Sequence, residues 1–243
     1  MTDAHIHIGQ YEEIYYDGFE IVDIVMSFGM EALSFSSTTS CVCDVNYLEV
    51  EKEILELLSK ASYSHEKIRP FLWYVPNYVK QGVGVQNAFA AVPYKGIKLH
   101  PYAHNWDFNN KEHREVLHSL FDYAVQKRLP ILFHTGESGM DNADRFESFF
   151  CEYKEAQCIL AHCRPLDTTI AMLKKYPNVF CDTAFVPEAN IQRIITAGFE
   201  GKILFGSDFP ITHYFHNKFS GEPKNTLKEQ YAKDLKGIPK LHS

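Results

Sequence analysis

Two histidines near the start of the chain have the spacing of a metal-binding pair. The segment DAHIHI at residues 3–8 has the pattern of a β-strand. Successive side chains of a strand point to opposite faces, so His5 and His7 share one face. Two neighbouring imidazoles can bind one divalent cation. Because a His-X-His pair also arises by chance in a chain with 12 histidines, the other strand ends must decide between these interpretations.

Titratable residues recur at the ends of four further apolar segments. GIKLHP at 96–101 places Lys98 and His100 on one face, and PILFHTG at 130–136 leads to His134. ILAHCR at 159–164 leads to His162, and ILFGSDFP at 203–210 leads to Asp208. A buried titratable side chain is costly unless it is paired or bound to a metal. Their recurrence at matching positions therefore indicates one shared cation site.

The elements that must position these residues alternate between short apolar runs and amphipathic stretches. Strands are predicted at 2–8, 31–36, 69–75, 95–100, 130–135, 157–162, 178–183 and 202–208. Helices are predicted at 20–29, 46–62, 85–91, 111–128, 142–154, 167–175, 187–197 and 224–236. Eight strand–helix units predict an α/β fold, a (β/α)8 TIM barrel formed by a single domain at 1–243. A doubly wound open sheet fits less well, because no glycine-rich phosphate turn follows the first strand.

Composition and charge exclude several classes of protein. The net charge of −7 argues against a nucleic-acid-binding surface, and no apolar run reaches the ~20 residues of a membrane helix. We expect no secretory signal, because Asp3, His5 and His7 interrupt the start of the chain. The six cysteines are scattered, as expected for reduced thiols in a cytoplasmic protein. Cys41 and Cys43 could bind a metal, but they lack a second pair.

Taken in order, the segments DAHIHIG, GIKLHP, PILFHTG, ILAHC and ILFGSDFP resemble those of the amidohydrolase superfamily of metal-dependent hydrolases. The resemblance covers essentially the whole chain. More narrowly, it is similar to the branch that contains aminocarboxymuconate-semialdehyde decarboxylase and related lactonases and hydrolases. It implies a TIM barrel with a divalent metal at the carboxyl ends of the strands.

The resemblance also implies roles for individual residues. His5, His7, His134 and Asp208 match the family's metal ligands, and Asp208 also handles the proton. His162 matches the histidine that polarises the substrate or contacts the water. Lys98 stands where binuclear relatives carry a carbamylated bridging lysine. Because this branch is mostly mononuclear, we expect Lys98 to act as a cation toward the substrate or beside the metal.

This set of residues is suited to binding a metal and activating water. Three imidazoles and a carboxylate suit Zn²⁺, and Mn²⁺ or Fe²⁺ would also accept them. The metal would activate water, and Asp208 would take up its proton. Arg164 and Lys98 are predicted to bind a carboxylate of the substrate, since cations suit a carboxylate. His100 is also predicted to bind the substrate.

Three further predictions concern residues around this site. Asp3 shares the inward face but lies deeper, so we expect a supporting role. The segment with Tyr11, Glu12, Tyr15 and Tyr16 is either a lid or a packed lead-in to a helix. The segment 212–216 is interpreted as a loop that helps to select the substrate.

Hydrolysis of an amide, ester or lactone bond in a small, anionic molecule is the predicted reaction. The first alternative is a metal-dependent, non-oxidative decarboxylation that uses the same ligands. The second is a metal-binding barrel without catalysis, which the intact ligand set argues against. The expected partner is the small-molecule substrate, with no nucleic acid or membrane, and a homodimer is left open.

Overall fold

The computed structural model describes residues 1–41 and 46–236. Cys43 lies outside these ranges, so metal binding by Cys41 and Cys43 is not tested by the structure. Within the described ranges, none of the helices is both long and apolar enough to cross a membrane.

In the described part of the chain, nine strands form one sheet, and eight of them are parallel. They are β1 (Thr2–Tyr11), β2 (Ile14–Tyr16), β3 (Ala32–Ser37), β4 (Ile68–Trp73), β5 (Gly96–Leu99), β6 (Ile131–Phe133), β7 (Cys158–Leu160), β8 (Val179–Asp182) and β9 (Ile203–Leu204). Their order is β2-β1-β3-β4-β5-β6-β7-β8-β9, and only β2 runs antiparallel to its neighbour.

The two ends of this sheet meet, so the parallel strands form a closed barrel. The amide of Ala4 donates to the carbonyl of Phe205 at 2.8 Å, and that of His7 donates to Phe209 at 2.8 Å. A parallel bridge joins Ile6 to Phe209. The closure confirms the predicted TIM barrel and excludes the open doubly wound sheet.

Ten α-helices surround the barrel in the described ranges. They are α1 (Gly18–Ser27), α2 (Tyr47–Lys60), α3 (Asn77–Lys80), α4 (Val85–Ala88), α5 (Lys111–Lys127), α6 (Glu147–Glu152), α7 (Leu166–Lys175), α8 (Glu188–Thr196), α9 (Ile211–Phe219) and α10 (Leu227–Lys236). Side-chain caps explain several starts: Asp17 accepts two amides at the start of α1, and Asn110 does the same for α5. Such caps satisfy amides that lack a partner within the helix.

One prediction from the sequence was wrong in this region. The segment 212–216 is helical, inside α9, because Ile211 and Tyr214 bury one face of it. The tyrosine-rich segment after the first strand forms the β1–β2 hairpin, in which Gln10 pairs with Tyr15. The hairpin leads directly to Asp17, which caps α1, and a role as a lid stays a prediction.

The barrel interior changes from apolar to polar along the strands. Phe71, Leu132 and Ile159 pack together near the amino ends, with Phe180 and Leu204 against them. Gly96 leaves room for this layer, because a Cβ there would lie 2.5 Å from the ring of Phe71. Side chains alternate along a strand, so the next inward positions carry the polar groups of the carboxyl ends.

Candidate metal centre

A cavity of about 330 Å³ opens at the carboxyl ends of the parallel strands. It is lined by His7, Tyr11, Thr38, Trp73, Lys98, His100, His134, Glu137, His162, Arg164, Phe185, Asp208, Ile211 and Phe215. This is the end of a TIM barrel where active sites are found. Seven of the eight predicted site residues, including both predicted catalytic residues, therefore line one cavity.

Three acceptor atoms converge on the floor of this cavity. The Nε2 atoms of His5 and His7 are 3.1 Å apart. The Oδ1 atom of Asp208 lies 2.8 Å from Nε2 of His7 and 3.3 Å from Nε2 of His5. We call these three residues the metal trio. Tetrahedral Zn²⁺ with bonds of about 2.0–2.1 Å separates its ligand atoms by roughly 3.3 Å, so these spacings fit one ion.

The hydrogen bonds of the two histidines allow their Nε2 atoms to carry lone pairs. Nδ1 of His5 lies 2.7 Å from Oδ2 of Asp182, an acceptor, so Nδ1 carries the hydrogen. Nδ1 of His7 lies 3.3 Å from the carbonyl oxygen of Ser36, to which it can donate, and 3.1 Å from the hydroxyl of Ser36. With hydrogen on both Nδ1 atoms, two lone pairs and a carboxylate oxygen face one another, beside the ammonium of Lys98. A cation bound between them would relieve this repulsion.

The backbone explains why these three side chains meet. His5 and His7 alternate with apolar residues on β1, so both point inward. Asp208 has φ of 58°, in the left-handed region, and its amide donates to the carbonyl of His5 at 2.8 Å. A non-glycine residue in this region marks a backbone that the surrounding structure holds in place. The turn after β9 therefore aims Asp208 at β1.

Asp182 is a buried carboxylate beside the metal trio that was not predicted from the sequence. It is buried at the end of β8, where Oδ2 accepts from His5 and Oδ1 accepts the amides of His162 and Ala184 at 3.0 and 3.1 Å. Gly206 makes room for it, because a Cβ there would lie 3.2 Å from Cβ of Asp182. The signal was present, since Asp182 ends the apolar run NVFCD as Asp208 follows ILFGS.

His162 and His134 form a second chain of hydrogen bonds beside the metal trio. Nδ1 of His162 donates to the carbonyl of Ala184 at 3.1 Å, so Nε2 accepts from Nδ1 of His134 at 3.1 Å. Nε2 of His134 then bears a lone pair, is buried, and has no hydrogen-bond partner. It lies 3.2 Å from Oε1 of Glu137. His134 is thus in the cavity but outside the metal trio.

His100, His134 and Glu137 also lie close together, but they are poorly arranged to hold an ion. The rings of His100 and His134 stack with centroids 3.6 Å apart and an interplanar angle of 11°. Imidazole lone pairs lie in the plane of the ring, so two parallel stacked rings cannot both aim at one ion. The metal trio is therefore the better-formed cation site of the described residues.

Burial favours the neutral form of four histidines in and beneath the cavity, and the neutral form is the one that binds metals. It lowers the pKa of His5, and the charge of Lys98 lowers it further. Burial likewise lowers the pKa values of His100, His134 and His162. Burial opposes ionisation of Asp208, but the rings of His5 and His7 outweigh it and hold the carboxyl pKa below its ordinary value.

Two cations face the cavity without a carboxylate within ion-pair distance among the described residues. The Lys98 side chain is buried, and its ammonium lies 3.1 Å from Nε2 of His5 and 5.5 Å from the centre of the Trp73 ring. Burial lowers the pKa of Lys98, and nearby carboxylates oppose this effect. Arg164 lines the cavity with a buried Nε that lacks a hydrogen-bond partner. Both are placed to meet an anionic group.

The family assignment agrees with this geometry. The model of the amidohydrolase family matches residues 87–234. The chain belongs to the amidohydrolase family. The matched region includes five of the eight parallel strands and every cavity residue from Lys98 to Asp208, but not β1 with His5 and His7. Amidohydrolases generally use divalent metals, in agreement with the metal trio found here.

Solved structures share the fold of this amidohydrolase at low sequence identity. A phosphotriesterase homology protein from Escherichia coli, complexed with phosphate in its active site, has a TM-score of 0.62 at 12% identity; the alignment covers 98% of this chain and 92% of that one. An uncharacterised TIM-barrel protein from Bordetella bronchiseptica gives 0.56 at 10% identity, covering 98% and 99%. A 4-oxalomesaconate hydratase from Rhodopseudomonas palustris gives 0.54 at 13% identity, covering 100% and 90%. No curated protein sequence matches the chain significantly.

Proposed function

We propose that this amidohydrolase hydrolyses an amide, ester or lactone bond in a small anionic molecule, with one divalent metal, preferably Zn²⁺. The observation that carries the proposal is the convergence of His5, His7 and Asp208 through three acceptor atoms within 3.3 Å of one another. Such a cluster is unfavourable in a buried site unless a cation occupies it.

The metal trio would hold the ion, and His134 remains the proposed fourth ligand. A divalent metal bound there supplies Lewis acidity, which lowers the pKa of water in contact with it toward about 7. Asp208 lies at the same place with its carboxylate ionised, so it can accept the proton of the attacking water and return it to the leaving group. This assigns to Asp208 both a binding and a catalytic role.

His162 would act on the substrate through its Nε2 atom. In the neutral ring this atom accepts a hydrogen bond, because Nδ1 donates to Ala184. His162 can therefore donate to a developing oxyanion only when protonated, a form that burial disfavours and that the carboxylates of Asp208 and Asp182 favour. Lys98 has three donors beside the metal trio, so it also suits the substrate oxygen that gains charge.

The substrate side of the cavity suits a carboxylate. Arg164 can bind one with its planar fork, and Lys98 adds a second positive charge. His100 stacks on His134, and both rings line the cavity. A volume of about 330 Å³ is at the small end of ligand pockets, which limits the substrate to a small molecule.

Elemental analysis of purified protein tests the metal site directly. The wild type should contain close to one equivalent of zinc, and His5→Ala/His7→Ala should contain almost none, because two of the three converging ligands are lost. His118→Ala is the matched control, since His118 lies on α5 and pairs with Tyr153. Full retention of zinc in the double variant would refute the assignment of the ligands.

Substrate turnover then separates the three functions. Small carboxylated amides, esters and lactones should be hydrolysed by the zinc-loaded enzyme and not after chelation. Release of CO₂ from a carboxylic acid, without consumption of water, would instead establish a decarboxylase, as in the branch that the sequence resembles. Stoichiometric metal without turnover on either class of substrate would establish a metal-binding barrel.

A further inference from the structure

A buried hydrogen-bond network lies directly beneath the metal trio, centred on the carboxylate of Asp3. Its Oδ1 atom accepts the amide of His5 at 3.2 Å and the amide of Ser207 at 3.1 Å. His5 is a member of the metal trio, and Ser207 directly precedes Asp208. One carboxylate oxygen thus connects β1 to the turn after β9, which are the two segments that carry all three proposed ligands.

The other oxygen of Asp3 is held by a residue from the far end of the chain. The hydroxyl of Tyr231, on α10, donates to Oδ2 at 3.0 Å across a separation of 228 residues. Tyr231 is completely buried, and its ring packs against Phe28 and Phe209 with centroids 5.5 and 5.0 Å apart. Phe209 directly follows Asp208. The tyrosine is therefore connected to the turn that carries Asp208 in two ways, directly through Phe209 and indirectly through Asp3 and Ser207.

The orientation of the Asp3 carboxylate depends on this contact. Without the hydroxyl, Oδ2 would be a buried acceptor with one donor fewer, which is unfavourable. The carboxylate would turn toward other donors, and the two amide hydrogen bonds through Oδ1 would weaken. Metal sites tolerate ligand displacements of only about 0.5 Å. A small rotation of Asp3 would thus separate His5 from Asp208.

We propose that Tyr231 is a positioning residue for the metal trio, which it acts on through Asp3. The inference rests on the proposed function, since it takes the metal trio as a zinc site. Tyr231 touches neither the ligand atoms nor the cavity, so its effect is on the affinity of the metal-free protein for zinc.

The test compares Tyr231→Phe with Tyr74→Phe. Both variants lose one buried hydroxyl and keep the ring; that of Tyr74 donates to the carbonyl of Val83 at 2.8 Å, outside the metal site. The dissociation constant for Zn²⁺ is measured by competition with a chromophoric chelator, well below the melting temperature. Tyr231→Phe should bind zinc about tenfold more weakly, because replacing a residue that orients a metal ligand typically weakens metal binding by at least that much. Tyr74→Phe should stay within about twofold of wild type.

Asp3→Asn provides a second, conservative variant. Its amide oxygen can accept both backbone amides, and its NH₂ group can donate to the Tyr231 oxygen, so zinc affinity should fall less than in Tyr231→Phe. Equal zinc affinity in wild type and Tyr231→Phe would overturn the positioning role alone. So would a larger loss in Asp3→Asn, because the charge of Asp3 would then matter more than its position. A wild-type chain that binds no divalent metal would overturn the proposed function and this inference together.

Discussion

At the scale of single residues, the metal site depends on which nitrogen of each histidine carries hydrogen. A ring can offer Nε2 to a metal only if its hydrogen stays on Nδ1. In His5, Asp182 holds the hydrogen on Nδ1, and in His7 the carbonyl of Ser36 is placed to do the same. A buried carboxylate behind a ligand histidine also makes the imidazole a stronger ligand. Asp182 thus supports the metal trio from behind His5.

Replacement of Asp182 tests this control of the tautomer. In Asp182→Asn, the amide oxygen can still accept the backbone amides of His162 and Ala184, and the NH₂ group then faces Nδ1 of His5. That arrangement favours hydrogen on Nε2 of His5, so we expect zinc affinity to fall roughly 10–100-fold. Chelator competition measures the loss, and circular dichroism checks the fold. Unchanged affinity would contradict the role of Asp182.

Asp208 is expected to move protons as well as to bind the metal. Asp208→Asn keeps the size of the side chain but cannot accept a proton, so kcat should fall by at least about 10². Steady-state kinetics with the zinc content measured in the same sample separates lost catalysis from lost metal. A variant that retains zinc and wild-type kcat would refute the catalytic role.

At the scale of elements, the C-terminal helix α10 supports the catalytic end of the barrel through its polar residues. Asp234 accepts from the hydroxyl of Thr212 and from Nε2 of Gln230, both at 2.7 Å. This connects α10 to α9, whose Ile211 and Phe215 line the cavity. Burial raises the pKa of Asp234 to about 7, although both hydrogen bonds oppose the shift.

The raised pKa of Asp234 makes the stability of this region depend on pH. The folded state binds the proton more tightly than the unfolded chain, whose carboxyl titrates near 3.8. The stabilisation is therefore complete below about pH 4 and is lost as the pH rises toward 7. Asp234→Asn removes the titration and can keep both hydrogen bonds, so it should melt a few degrees above wild type at pH 8.

Thermal unfolding in the presence of chelator, from pH 4 to pH 8, checks this prediction. The difference in melting temperature between Asp234→Asn and wild type should shrink as the pH falls, because both side chains are neutral in acid. Asp23→Asn, at an exposed position on α1, controls for the change in net charge. A constant difference across the pH range would contradict the assignment.

At the scale of the whole molecule, the metal trio spans the seam where the barrel closes. His5 and His7 belong to the first strand, and Asp208 follows the last one. Backbone hydrogen bonds at 2.8 Å already join the two edges. A cation bound to both edges would hold the seam more firmly, because it binds the closed barrel and not the open chain.

Zinc should therefore raise the melting temperature of the wild type. A free ligand at 100 times its dissociation constant stabilises by about 2.7 kcal/mol, and each kcal/mol is worth roughly 2–4 °C in a domain of this size. Differential scanning calorimetry with zinc and with chelator should thus differ by roughly 5–10 °C. The difference should vanish in His5→Ala/His7→Ala and persist in His118→Ala.

Local patterns made the barrel and half of the site predictable from the amino-acid order. The two-residue period of a strand places His5 and His7 on one face regardless of what surrounds them. The eightfold alternation predicted the closed barrel, and the carboxyl ends of its strands had to meet at one end, which brings Asp208, His134 and His162 to the same cavity. These inferences hold because backbone geometry alone determines side-chain direction and strand polarity.

Contacts between distant segments determined the rest, and they leave no periodic signal in the chain. Helix α9 is stabilised by the burial of Ile211 and Tyr214 against the rest of the protein, although no side-chain cap marks its start. Asp182 reaches His5 only because Gly206 leaves a space between β8 and β1. Tyr231 meets Asp3 across 228 residues. The order of residues thus determined which groups could bind a metal, while packing in three dimensions determined their tautomers, supports and separations.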